Sequence, residues 1–278
     1  MAQRTRKNKG KKEKEEKSTP NTMVMVLGGV GVLAVAILAW NIVSTATDQT
    51  VRAPVDIEFD SPTELLAMAE PVVRGDPGAP ITLMDFSDYS CNACQAFTMQ
   101  AKPTLDRAYV DRGLMRFEYY DFPTGMFPNS FIAARAARCA GDQDGYWPFH
   151  DLLFQRQTTW GTQADPNRTF EGYADEVGLN ASDFRSCLRS DRHAEVVTAN
   201  LELARQLGVA GTPTLMLNTG EGTPVRIPDW RDLQQMRDQI DSALERRGHT
   251  PPGAASSQDE DESDDDGPSI IPDGGEGL

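Results

Sequence analysis

From Met23 to Trp40 the chain reads MVMVLGGVGVLAVAILAW, with no ionisable or strongly polar side chain, and Ile42 and Val43 extend the run past Asn41. A helix of that length, rising ~1.5 Å per residue, matches a hydrocarbon layer ~30 Å thick. The pattern therefore predicts an uncleaved transmembrane signal anchor over 23–43. The competing reading is a cleaved signal, with Ser44-Thr45-Ala46 supplying the small residues of a cleavage site. In both readings the basic leader before it stays cytoplasmic and the chain after residue 44 lies outside the membrane.

Shorter patterns follow. Ser61-Pro62-Thr63-Glu64 combines an N-cap serine, a proline at the first helical position and a capping-box glutamate, which predicts a short helix through LLAMAE. RGDPGAP (74–80) ends it with turn formers. ITLMDFS (81–87) is apolar on both faces except at Thr82 and Asp85, as expected of a central strand covered on both sides. QAFTMQAKPTLDRAYVDRG reads as a helix kinked at Pro103 and closed at Gly113. LMRFEYYDF (114–122) is a second strand, so strand, crossover helix and strand form a right-handed parallel β-α-β unit. Residues 128–208 are helical, with Val197, Leu201, Ala204 and Gly208 on one face of the last helix. Strands follow at 211–218 and 223–227. A final helix capped by Asp229 carries the stripe Leu233, Met236, Ile240, Ala243 and Leu244.

Charge changes the picture at both ends. Residues 1–22 hold eight Lys/Arg against three Glu, and read as a solvated basic leader. Residues 249–278 hold nine Asp/Glu and no Lys or Arg among many Pro, Gly and Ser, a composition that cannot offset its ordering entropy. Between them residues 23–248 carry −11 of the formal −15, which argues against nucleic-acid recognition. The expected layout is a leader (1–22), an anchor (23–43), a tether with a short helix (44–71), one globular domain (72–248) and an acidic tail (249–278).

The candidate chemistry lies at Cys91-Asn92-Ala93-Cys94, at the carboxyl end of the first strand. Thiol–disulfide exchange needs a thiolate to attack and a second thiol to resolve the mixed disulfide. At a helix start, Cys91 lies beside unpaired backbone N–H groups that favour a negative sulfur, while Cys94 is one turn inward. This assigns Cys91 as nucleophile and Cys94 as resolver.

With Asp85 six residues before the first cysteine, GDPGAPITLMDFSDYSCNAC resembles the approach to the active site of the DsbA-like thiol–disulfide oxidoreductases. Pro103 falls where that family's active-site helix is kinked, and GTPT (211–214) resembles the loop whose proline is cis. The resemblance covers roughly 72–247. It implies an α/β thioredoxin fold with a helical insertion (128–208) between the βαβ and ββα halves. It also implies that Asp85 relays a proton to or from Cys94, and that Thr212-Pro213 is a cis pair offering the Thr212 backbone to a substrate strand. Asn92-Ala93 departs from the commonest family dipeptides, which leaves the oxidising strength open. Asp88 reads as a turn residue nearer the surface.

Cys139 and Cys187 are expected to pair as a structural disulfide, as second cysteine pairs do in relatives; two free thiols or a second redox pair are the alternatives. A four-cysteine zinc site is disfavoured because Cys139 and Cys187 stand alone. A Cys91–His150 hydrolase is disfavoured because a neighbouring thiol would trap the nucleophile. His150 reads as a helix-surface or packing residue, and Trp147, Phe149 and Phe154 as packing aromatics or a surface for unfolded substrates. The expected function is disulfide formation in exported proteins at the outer side of the cell membrane, with no cofactor and no metal. Its expected partners are reduced exported proteins and a membrane redox partner that recycles the cysteines, and the chain is expected to be a monomer. The alternatives are a tethered reductase or isomerase, or a non-catalytic chaperone-like binding module.

Overall fold

The computed structural model describes residues 22–46 and 50–252, which fall into two units divided after Asp48. The leader up to residue 21 and the tail beyond residue 252 lie outside the described residues. The first unit holds helix α1 (Thr22–Ala46), over the apolar run expected to form the anchor. Among the described residues no helix is long and apolar enough to cross a membrane. The side chains of residues 26–40 in α1 are all exposed.

The second unit is built on a five-stranded sheet of β1 (Val72–Arg74), β2 (Ile81–Ser87), β3 (Met115–Asp121), β4 (Thr214–Asn218) and β5 (Val225–Arg226), in the order β1-β3-β2-β4-β5. β2 and β3 pair in parallel, and the other pairs are antiparallel. β1 carries too few residues to show a period in the sequence. Every residue of β2 is buried, as its apolar composition on both faces requires. Leu83, Phe117 and Tyr119 face one core, and Met84, Phe86 and Tyr120 the other. The second core is closed by α2 (Pro62–Met68) and α10 (Ala194–Gln206), through Leu65, Leu201 and Ala204. Ser61 caps α2 as expected, accepting from the Glu64 N–H.

The helix after the cysteines runs as α3 (Asn92–Ala96) and α4 (Lys102–Leu105), each followed or preceded by a wider π-helical turn, at Phe97–Ala101 and Asp106–Val110. At Pro103, where the sequence predicts a kink, the hydrogen-bond pattern changes. The proline has no N–H for an i→i−4 bond, and the chain just before it widens so that the Lys102 N–H reaches the Phe97 carbonyl. The insertion comprises α5 (Ser130–Gly141), α6 (Tyr146–Gln155), α7 (Gln157–Trp160), α8 (Asn167–Glu176), α9 (Ala181–Leu188) and α10. The last helix, α11 (Leu233–Arg246), is capped by Asp232 and not Asp229: the Asp232 carboxylate accepts from the Gln235 N–H. Asp229 instead turns the preceding loop by accepting from the Arg231 N–H.

The stretch expected as a tether is docked from residue 50 onward. Val51 and Val55 pack against one core, and Ile57 and Phe59 against the other. The Val55 N–H donates to Thr198 Oγ1, and the buried Arg135 donates to the Val51 carbonyl at 2.6 Å.

Candidate active site

β2 delivers the chain to the site. Past Ser87, the Asp88 carboxylate accepts from the Ser90 N–H and from both the N–H and the hydroxyl of Thr124, while its carbonyl accepts from the Cys91 N–H. Asp88 is thus the turn residue expected, but it is buried, because four donors converge on it. The turn leaves Cys91 as N-cap of α3, at φ −84° and ψ 122°, with its carbonyl accepting the Gln95 N–H.

Both cysteines are free thiols, Cys91 half-buried and Cys94 buried. A hydrogen bond from Cys94 and the N–H groups of Cys94 and Ala93 pull the Cys91 thiol down to about 6, against the opposing effect of burial. Burial pushes the Cys94 thiol far up, reinforced by its bond to Cys91 and the charges of Cys91 and Asp85. The pair is therefore polarised, with the thiolate on the outer sulfur.

Asp85 is fully buried on β2, between Tyr119 of β3 and Leu215 of β4. Burial raises its carboxyl to about 7, opposed by a short hydrogen bond from the Ser87 hydroxyl and by the Lys102 ammonium. Lys102 is itself buried, paired with Asp106 at 2.7 Å and lying over the rings of Phe117 and Trp147 at 4.7 and 5.0 Å. Opposite the cysteines, the Thr212–Pro213 peptide is cis, and the Cys91 sulfur lies 3.5 Å from the Thr212 carbonyl oxygen, to which it donates when protonated. Cys91, Cys94, Thr212 and Pro213 therefore come together beyond the carboxyl end of the central strand β2, with Asp85 two residues before that end.

The remaining sequence candidates lie elsewhere. Cys139 and Cys187 form a disulfide between α5 and α9, with Cα atoms 5.8 Å apart. Among the described residues they and His193 are a close group of possible metal ligands, within 4.8 Å of one another, but the two sulfurs are spent on each other. His150 is a packing residue and not a surface one, fully buried against Tyr89, Tyr119, Trp147 and Phe154. Phe149 and Phe154 are buried with it, and Trp147 is partly buried with its Nε1–H donating to the Val73 carbonyl.

A family profile described as Thioredoxin matches residues 68–241, well over half of the sequence. The chain belongs to the thioredoxin family. It is 26% identical over 234 residues to the Probable disulfide bond formation protein D of Bacillus anthracis, covering 80% of this chain and 97% of that one. It is 33% identical over 147 residues to the Na(+)/H(+) antiporter NhaA 1 of Salinispora arenicola, covering 52% of this chain, and it spans about a fifth (21%) of the antiporter's length. Among solved structures it superposes on α-DsbA1 of Wolbachia pipientis with a TM-score of 0.57 at 21% identity, over 64% of this chain and 92% of that one. The thioredoxin-like α/β fold with a helical insertion, expected from the sequence, is the fold found.

Proposed function

We propose that this chain is a thiol–disulfide oxidoreductase that introduces disulfides into exported proteins through Cys91 and Cys94. The observation that carries the reading is the geometry of the pair: Cys91, half-buried at the N-cap of α3 with its sulfur 3.5 Å from the Thr212 carbonyl oxygen of the cis Thr212–Pro213 peptide, and Cys94 buried one turn inward, an arrangement that lowers the first thiol to about 6 and raises the second. In the oxidised pair, a substrate thiolate attacks Cys91 Sγ, breaks the Cys91–Cys94 bond and forms a mixed disulfide. Cys94 leaves as a thiolate and takes a proton, for which Asp85, neutral up to about pH 7, is the nearby source. The substrate's second thiolate then attacks its own sulfur in the mixed disulfide and releases Cys91 as a thiolate. Two electrons pass to the cysteine pair and the substrate is left with a disulfide. Because the released Cys91 thiolate is stabilised, the reduced form is favoured and the disulfide is an oxidant.

Thr212 and Pro213 form the substrate-binding edge, with the Thr212 backbone meeting the strand that carries the reacting cysteine. The exposed Met126 and Phe127, on the loop tied to Asp88 through Thr124, offer apolar contact to unfolded chains. We assign residues 23–43 to a membrane anchor, on the strength of an apolar run long enough to span, with the leader 1–22 inside and the domain 72–248 outside. A redox partner in that membrane would accept the two electrons and restore the disulfide.

Oxidative refolding of a reduced substrate tests the reaction. The wild-type chain should accelerate it and Cys91→Ala should not; equal assistance from Cys91→Ala would favour a binding module. Alkylation trapping in cells tests the direction: a mostly oxidised Cys91–Cys94 pair fits an oxidase, and mostly free thiols a reductase or isomerase.

A further inference from the structure

The insertion does more than cover the sheet. Gln157, at the start of α7, is buried, and its Nε2 donates to two carbonyls of the active-site loop, Tyr89 at 2.7 Å and Cys91 at 3.0 Å. A carboxamide nitrogen has two hydrogens, so these two bonds use both. The Cys91 carbonyl also accepts the Gln95 N–H that opens α3, and is therefore held from the helix on one side and from the insertion on the other.

The turn that presents Gln157 is itself fixed. Trp160 is fully buried and donates to the Leu153 carbonyl, and Asn129 Nδ2 donates to the carbonyls of Trp160, Gly161 and Gln163. A Cβ at Gly161 would lie 2.9 Å from the Gln157 carbonyl oxygen, so a side chain there would force the turn to shift. A pinned donor between two carbonyls fixes the peptide planes of residues 89 and 91, and with them the ψ of Cys91. That angle decides whether the N–H groups of Ala93 and Cys94 point at the Cys91 sulfur or past it.

We infer that Gln157 is a positioning residue for the reaction: by clamping the Tyr89 and Cys91 carbonyls it holds the Cys91 sulfur at the mouth of α3. The inference deepens the proposed exchange activity and rests on it. Gln157→Met keeps the volume and removes both donors, and Gln157→Asn keeps the donors but is too short to span both carbonyls.

The test is the pH dependence of Cys91 alkylation in the full-length reduced chain, together with melting of the oxidised and reduced forms. The expected result is a Cys91 midpoint about one unit higher in Gln157→Met, hence about tenfold slower alkylation below the midpoint, with a smaller shift in Gln157→Asn. Loss of melting temperature with unchanged midpoints in both variants would make Gln157 a packing residue and overturn the inference. Failure of both variants to fold in either redox state would do the same. A wild-type midpoint near 9 would instead count against the exchange reading itself, whatever the variants do.

Discussion

The Cys91 sulfur and the Thr212 carbonyl oxygen stand 3.5 Å apart across 121 residues of chain. A substrate sulfur bonded to Cys91 has to enter beside that carbonyl, so capture and strand pairing happen at one place. Without Cys94 there is no internal disulfide to oxidise a substrate, and a disulfide-bearing protein captured by the Cys91 thiolate cannot be released by attack of Cys94 on the mixed disulfide. We expect Cys94→Ala to accumulate mixed disulfides with proteins that already carry a disulfide, formed when the Cys91 thiolate attacks that bond and displaces one of its sulfurs as a thiolate, visible as thiol-sensitive bands on non-reducing gels. Cys91→Ala should give none, and a similar ladder from it would move the nucleophile to Cys94.

Asp85 makes two opposed contributions. Its carboxyl is raised from 3.8 to about 7 by burial, so the folded chain binds a proton more tightly than the unfolded one. The cost of its ionisation appears above pH 4 and grows until about pH 7. Asp85→Asn should therefore raise stability at pH 8 by on the order of 2–4 kcal/mol, with little gain at pH 4, read by urea unfolding. The same variant should slow exchange on the order of 10²-fold if Asp85 moves the Cys94 proton. Equal exchange rates in the two proteins would remove Asp85 from the reaction.

Cys91 has the reverse sign. Its thiol is lowered from 9.0 to about 6, so its contribution to the reduced fold is present above pH 9 and is lost as pH falls through 6. The reduced chain should gain stability relative to the oxidised one between pH 6 and 9, in paired unfolding curves. Curves that stay parallel across that window would mean an unperturbed thiol.

The Cys139–Cys187 bond closes 48 residues of chain and ties α5 to α9 away from the reacting sulfurs. Replacing both by Ala should cost roughly 4 kcal/mol of stability on the chain-entropy account. Exchange at Cys91 should persist below the new melting temperature. Loss of exchange in a folded double variant would reveal a second redox pair.

Much of the site is legible in the sequence because its chemistry is local. Cys91 and Cys94 are one helical turn apart, and Asp85 is conspicuous as the acid inside an apolar strand. The residues that brace the site are not, since they arrive from distant segments. Gln157 and Thr124 look like ordinary polar positions until folding brings them to the loop 88–91. Lys102 carries a fainter signal: it is the only lysine after Lys17, in a stretch that otherwise uses arginine, and it is buried. The burial of Asp88 and the cap at Asp232 rather than Asp229 were equally hidden, because each depends on which donors converge there.

Alkylation of the reduced chain across pH 4–9, with each cysteine followed by mass spectrometry, tests the central claim most directly. Cys91 should react first, with a midpoint near 6, while Cys94 stays unmodified in the folded protein. A midpoint near 9 at Cys91, or modification of Cys94 ahead of it, would contradict the account.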